Sequence, residues 1–197
     1  MKKIFATALF ALFSGVAGAT TITFDPLEQA GSSYQYMSSY SESGFDFTSG
    51  DPLVSAQQGK VGWYFGSASL FSNSVNGYVM LTRTGGATFN FDSIDLAPVA
   101  TNYGADATVN FTGHIDGGGT VNESFTLNGT YAFQTFTLTG FDNLDSVTWL
   151  QASPFHQFDN LVLDPLSTVP EPGSVALIGL ALAILAATRR KSYWREH

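Results

Sequence analysis

The stretch Val109-Asn110-Phe111-Thr112-Gly113-His114-Ile115-Asp116-Gly117-Gly118-Gly119-Thr120-Val121-Asn122-Glu123-Ser124-Phe125-Thr126-Leu127 decides the fold class. Val109, Phe111, Gly113 and Ile115 alternate with Asn110, Thr112 and His114, the period of two expected of a strand with one buried face. Asp116 and three glycines then turn the chain, because glycine accepts the positive φ that a tight reversal needs. Val121, Phe125 and Leu127 share one parity, so the second half reads as the returning strand. Two strands and a turn within 19 residues make a β-hairpin.

The pattern extends in both directions. Asn128-Gly129 predicts another two-residue turn, leading into a strand that carries Tyr131, Phe133, Phe136 and Leu138. The slip of parity between Phe133 and Phe136 predicts a bulge at Gln134-Thr135. Upstream, residues 21–24 and 44–47 read as strands, Asn76-Gly77 precedes a strand over 78–83, and Gly85-Gly86 connects to one over 88–91. Downstream, residues 147–150 and 158–163 close the series. Roughly ten short strands with turn signals between them imply an all-β fold: an antiparallel β-sandwich of jelly-roll type, with a closed barrel as the alternative. Few strands reach the 9–11 alternating residues that an outer-membrane barrel requires.

Composition agrees. Charged residues make up 12% of the 197, phenylalanine numbers 17, and cysteine is absent. Helical surfaces carry more Lys and Glu than this, and a disordered chain carries fewer aromatics. Without cysteine there is no disulfide, thiolate site or lipid-modified cysteine. Between Thr20 and Thr168 stand two basic residues, Lys60 and Arg83, against fourteen acidic ones. Phosphate binding needs a basic footprint, so nucleic acid is excluded as a partner.

The two ends are of a different kind. Lys2-Lys3, an apolar run over 4–13 and Ala17-Gly18-Ala19 form the three parts of a secretory signal, with Ala17 and Ala19 as the small residues of the cleavage site. Residues 1–19 are therefore expected to engage the Sec translocon and signal peptidase, leaving Thr20 as the first mature residue. At the other end Val169-Pro170-Glu171-Pro172-Gly173 precedes an uncharged stretch, 174–188, and then Arg189-Arg190-Lys191. Two prolines fix extended backbone. Fifteen helix-forming residues cover about 22 Å, and snorkelling arginines extend their reach toward a ~30 Å hydrocarbon core. The basic cluster stays cytoplasmic and the domain outside. The expected organisation is a signal peptide (1–19), a β-sandwich domain (20–168) and a tail (169–197) with its motif at 169–173, a transmembrane helix at about 174–188 and a basic cytoplasmic end at 189–197.

Val169-Pro170-Glu171-Pro172, a single hydrophobic helix and the basic cluster together resemble the PEP-CTERM sorting signal of Gram-negative bacteria. The resemblance implies recognition of Pro170-Glu171-Pro172 by an exosortase. It also implies an inner-membrane-anchored precursor that reaches the cell surface or the medium, in an organism that makes extracellular polysaccharide. Ser192 to His197 continue past the point where many such tails stop. The middle is similar to other PEP-CTERM cargo through Ile22-Thr23-Phe24-Asp25 and Phe158-Asp159-Asn160-Leu161, which implies a sandwich like those of galactose-binding or carbohydrate-binding modules.

No H-E-x-x-H, G-x-S-x-G or P-loop motif occurs. His114 falls on the polar face of a strand and His156 in a loop, neither with a catalytic motif, so the domain reads as a non-catalytic envelope or matrix body associated with exopolysaccharide. A specific glycan-binding module and a polysaccharide-active enzyme are the alternatives. Trp63 and Tyr64, and the group Tyr34, Tyr36 and Tyr40, are the candidate sugar-stacking aromatics. Asp159 shares parity with Leu161 and Leu163, which directs it inward, where a carboxylate needs a partner. Adjacent first and last strands would bring Asp25 near Asp159 and Asn160, a candidate structural Ca2+ site. N-terminal sequencing of the exported protein should begin at Thr20; a retained Met1 would refute the signal.

Overall fold

The computed structural model describes residues 18–29, 35–56, 67–100, 106–153 and 155–164, together with Ala181. The chain divides into two compact units, Met1–Pro165 and Leu166–His197. Of the second unit only Ala181 is among the described residues, so the sorting tail and its expected helix lie outside them, as do residues 1–17. Among the described residues no helix is long and apolar enough to cross a membrane.

The described residues form eleven strands: Thr20–Ile22 (β1), Tyr36–Glu42 (β2), Phe45–Ala56 (β3), Ser69–Ser72 (β4), Tyr78–Arg83 (β5), Phe91–Pro98 (β6), Thr108–Ile115 (β7), Thr120–Thr126 (β8), Gln134–Thr137 (β9), Leu144–Leu150 (β10) and His156–Leu163 (β11). Every pairing is antiparallel. The hydrogen-bonded order runs β8-β7-β10-β5-β3-β4-β11-β6-β9, with β1 on β11 and β2 on β3.

That single path folds into two layers at β3. Its first half, Phe45 to Ser49, pairs with β5, and its second half, Leu53 to Ala56, pairs with β4. Against β2 the register jumps from Ser39↔Thr48 to Met37↔Leu53, so the chain turns a corner over Ser49, Gly50, Asp51 and Pro52. Strands that change sheet do so at such bends. Proline has no N–H to offer a ladder, and Gly50 leaves room for the Tyr78 ring, which an added Cβ would meet at 2.7 Å.

The core lies between the layers. Phe47, Val79, Leu81, Val147, Trp149, Val109 and Phe111 come from one sheet, and Leu70, Phe158, Leu161, Leu163, Ile94, Leu96 and Phe91 from the other. Aromatic rings bridge them: Trp149 meets Phe158 edge-on at 5.0 Å between centroids, and Phe91 meets Phe111 at 6.4 Å. The fold is thus an antiparallel β-sandwich. The 109–127 hairpin forms as its alternation requires, with Gly118 N–H donating to Ile115 O at 2.9 Å.

Three local expectations are corrected. Asn128-Gly129 does not close a hairpin, because β8 pairs with β7 and β9 pairs with β6 in the other sheet; the turn starts a crossover. The bulge at Gln134-Thr135 is absent. β9 begins at Gln134 and keeps register with β6 throughout, so the parity slip marks a strand end. Gly85-Gly86, both at positive φ, also leads across: the strand that follows is β6, from Phe91, with Phe89 making one isolated bridge to Leu144.

The register leaves one sheet with an open outer face. Ser39, Thr48, Met80, Thr148, Thr112 and Asn122 lie side by side in one row. Ser41, Asp46, Thr82, Ser146, His114 and Thr120 form the next. None of the twelve is buried.

Phe158 touches Phe24, Phe47 and Trp149, so Phe158→Ala should cost about 3–5 kcal/mol in chemical denaturation. Exposed Thr137→Ala should change stability by about 0.5 kcal/mol at most. Equal losses would contradict this placement of the core.

Candidate functional site

β6 pairs along one edge of β11 from His156 to Leu163. The other edge is shared by β4, at Phe158, and β1, at Leu161 to Leu163. The first and last strands are therefore neighbours, as expected, with Thr20 opposite Leu163. Between the two edge partners lie Asp159 and Asn160.

Asn160 takes φ 47, and the register with β6 shifts between Asp159 and Val162. This bulge changes which side chains face inward. Phe158, Leu161 and Leu163 all reach the core, while Asp159, opposite Asp95, faces the other side of its sheet. The inward orientation expected from parity is corrected: the unread left-handed residue absorbs one step of the alternation. Asp159 is nevertheless only 3% exposed. Asn160 N–H donates to its Oδ1 at 2.7 Å. Asp95 receives Asn160 Nδ2 at 2.9 Å and the Thr135 hydroxyl at 2.6 Å.

Asp25, in the 3₁₀ turn Asp25–Leu27, is exposed but acts electrostatically on Asp159, as do Asp95 and Glu42. Phe24 enters this turn at φ 54 with its ring fully buried, a conformation costly for a bulky residue. Glu42 holds it there, accepting the N–H groups of Thr23 and Phe24, both at 3.2 Å, and the Tyr40 hydroxyl at 2.8 Å. Burial and that carboxylate push the Tyr40 hydroxyl well above its usual range. The ring of Tyr40 packs against Phe24, so Tyr40 is partly core, not sugar platform. Among the described residues no three His, Cys, Asp or Glu side chains gather into a group able to hold a metal ion.

A buried polar network lies near the start of β11. Ser69 donates to Gln157 Oε1 at 2.5 Å, and Gln157 Nε2 donates to Pro98 O at 2.8 Å. Gln151 accepts from Ser72 N–H at 3.1 Å and donates to His156 O at 3.0 Å. His156 Nδ1 lies 3.1 Å from Gln151 Nε2 and 3.3 Å from Ala152 N. With both as donors, Nδ1 must be unprotonated and the ring neutral. Nε2 finds no partner among the described residues. No sequence signal marked this network; polar residues at alternating strand positions read as solvent-facing.

Tyr36, 56% exposed, lines a cavity of about 400 Å³ with Met37, Ser38, Ser49, Gly50, Asp51 and Pro52, at the corner of β3. Trp63, Tyr64 and Tyr34 lie outside the described residues. Tyr78 is 45% and Leu150, its cross-strand partner, 48% exposed.

Residues 168–191 match the PEP-CTERM protein-sorting motif, and the chain carries that signal. No curated protein matches it. Among solved structures, it is similar to a variant of a family 29 carbohydrate-binding module complexed with mannohexaose, at 15% identity and TM-score 0.42, over 75% of this chain and 92% of that one. It is also similar to the tandem family 22 modules of Xyn10C from Paenibacillus barcinonensis, at 12% identity and TM-score 0.42, over 81% of this chain and 48% of that one.

The two buried titratable groups set opposite pH dependences. Burial, with added repulsion from Asp25, Asp95 and Glu42, raises Asp159 to about 8 despite the Asn160 N–H. Burial lowers His156 to about 3. From about pH 4 to 8 the folded state holds the Asp159 proton and the unfolded chain releases it, so stability falls as pH rises. From about 6.5 down to 3 the unfolded chain takes up the His156 proton first, so stability falls as pH drops. The slopes oppose one another up to about pH 6.5, and above it Asp159 acts alone. In chelator-treated buffer, urea unfolding should show a loss of about 2 kcal/mol between pH 6.5 and 8.0 that Asp159→Asn abolishes. An unchanged loss in the variant would refute the assignment.

Proposed function

We propose that this chain is an exported, tail-sorted envelope protein whose β-sandwich is a non-catalytic body associated with exopolysaccharide. Residues 1–19 direct it to the Sec translocon and are removed by signal peptidase. Residues 174–188 then hold the precursor in the inner membrane, with Arg189, Arg190 and Lys191 in the cytoplasm. An exosortase acts at Pro170-Glu171-Pro172, and the domain passes to the cell surface or the medium.

The observation that carries this reading is the sorting motif over residues 168–191. The first strand among the described residues supports it too, since it starts at Thr20, the residue that signal cleavage would expose. A non-catalytic domain is supported by the burial of its most perturbed groups. A general acid has to touch the bond it protonates, and Asp159, at 3% exposure, and His156, at 0%, are out of a polysaccharide's reach. His114 stands on the open face between Ser146 and Thr120.

Intact-mass analysis of the protein from envelope and medium tests the whole route. The envelope precursor should begin at Thr20 and end at His197, and the released form should lack the residues after the motif. Replacing Pro170, Glu171 and Pro172 by alanine should leave only the precursor. Release of tail-less protein from that variant would remove exosortase from the account.

A further inference from the structure

We infer that the open outer face of the β8-β7-β10-β5-β3-β2 sheet is a docking surface for an uncharged, extended polysaccharide; this rests on the exopolysaccharide association proposed above and assigns it to a place.

The two outer faces of the sandwich differ in kind. Val54, Phe71 and Val99, with Ser69, Gln157 and Asp159, are buried on the far side of the β11 sheet. The opposite sheet presents two complete six-strand rows in which eight of twelve side chains are serine or threonine. Neighbouring members stand about 4.8 Å apart across strands, and the rows about 7 Å apart along them. A ligand lying across six strands would therefore meet a polar side chain at every step of the second row for about 24 Å, while the first row offers Ser39, Thr148, Thr112 and Asn122 and is interrupted at Thr48, whose hydroxyl is buried, and at Met80. The step is close to the length of one sugar ring in an extended chain.

Charge selects the ligand class. Arg83 is the single Lys or Arg among the described residues, and it is engaged by Asp164 and the Thr88 carbonyl. The rows hold one carboxylate, Asp46, which already accepts from Ser41 at 2.6 Å and Thr84 at 2.9 Å. An anionic chain would find no cation there, and a cationic one a single occupied carboxylate. A neutral polyhydroxyl chain needs neither, because each hydroxyl both donates and accepts. Thr112 donates to Asn122 Oδ1 at 2.8 Å, which leaves the Asn122 amide hydrogens and the Thr112 lone pairs for a ligand.

An apolar step borders the rows. Tyr78 and Leu150 pair across strands and stand half exposed one row, two residues along each strand, beyond Met80 and Thr148. The Tyr78 ring lies close over Gly50, which fixes its place. A sugar has an apolar C–H face as well as hydroxyls, and an aromatic ring beside hydrogen-bonding groups matches both.

The test is native affinity electrophoresis of the full-length chain in a polyoxyethylene detergent, through gels containing β-glucan, mannan, xylan or anionic alginate. At least one neutral polymer should retard the protein, and alginate should not. Tyr78→Ala should weaken retardation about tenfold, and so should Thr112→Lys, a substitution on the open face that leaves the core untouched; Tyr36→Ala, in the cavity at the β3 corner, should not. Unfolding curves matching wild type establish that each variant is folded. Retardation by a neutral polymer that survives both face substitutions would overturn this assignment while leaving the polysaccharide association intact. No retardation by any neutral polymer would count against both. A concentration-dependent dimer broken by Tyr78→Ala would give the face to a second copy of the chain and overturn the proposal.

Discussion

One strand serves both layers of this protein, and the rest of the architecture depends on its corner. β3 pairs with β5 before Ser49–Pro52 and with β4 after it, so the two sheets share a covalent edge and cannot slide independently. The corner needs Gly50 for clearance under the Tyr78 ring and Pro52 where the ladder is interrupted. Once the layers are fixed, aromatic side chains fill the space between them, with Trp149 and Phe158 meeting edge-on. The same bend opens the cavity beside Tyr36.

The electrostatics follow the layering. Fourteen acidic residues crowd the central region, and three of them, Asp25, Glu42 and Asp95, act on the buried Asp159 of β11. Glu42 there spends its lone pairs on the backbone of Thr23 and Phe24, and Asp95 is satisfied by Asn160 and Thr135. Asp159 is the member left with one neighbouring N–H, which is why burial dominates its protonation. A carboxyl kept as the acid at neutral pH can sit in such a place without a counter-ion.

How much of this was legible in the sequence depended on how local each feature is. The 109–127 hairpin could be read because alternation and turn chemistry sit within one continuous stretch. β5 could be read for the same reason: the 78–83 bounds match the strand. The neighbourhood of Asp25 and Asp159 was also legible, from the rule that first and last strands of such sandwiches meet. Three strands went unread, β6 among them, since the reading over 88–91 meets Phe91–Pro98 at one residue. β4, Ser69–Ser72, is buried on both faces and has no alternation to display, while β2 is rich in serine and tyrosine and looks like a loop. Asn128-Gly129 shows a further limit. Turn residues tell where the chain bends, and whether the next strand joins the same sheet or the opposite one is decided by packing far away in sequence. The orientation of Asp159 hinged on a single residue, Asn160, in the left-handed region.

The last strand made is also a central one. β11 is flanked by β6 on one edge and by β1 and β4 on the other, and Phe158 lies at the meeting point of three core rings. A polypeptide that emerges amino end first holds these surfaces unmatched until His156–Leu163 appears. Until β11 is present, β6 on one side and β1 and β4 on the other lack the strand that joins them, so this sheet closes late. Strand order, in this sense, sets when the sandwich can lock.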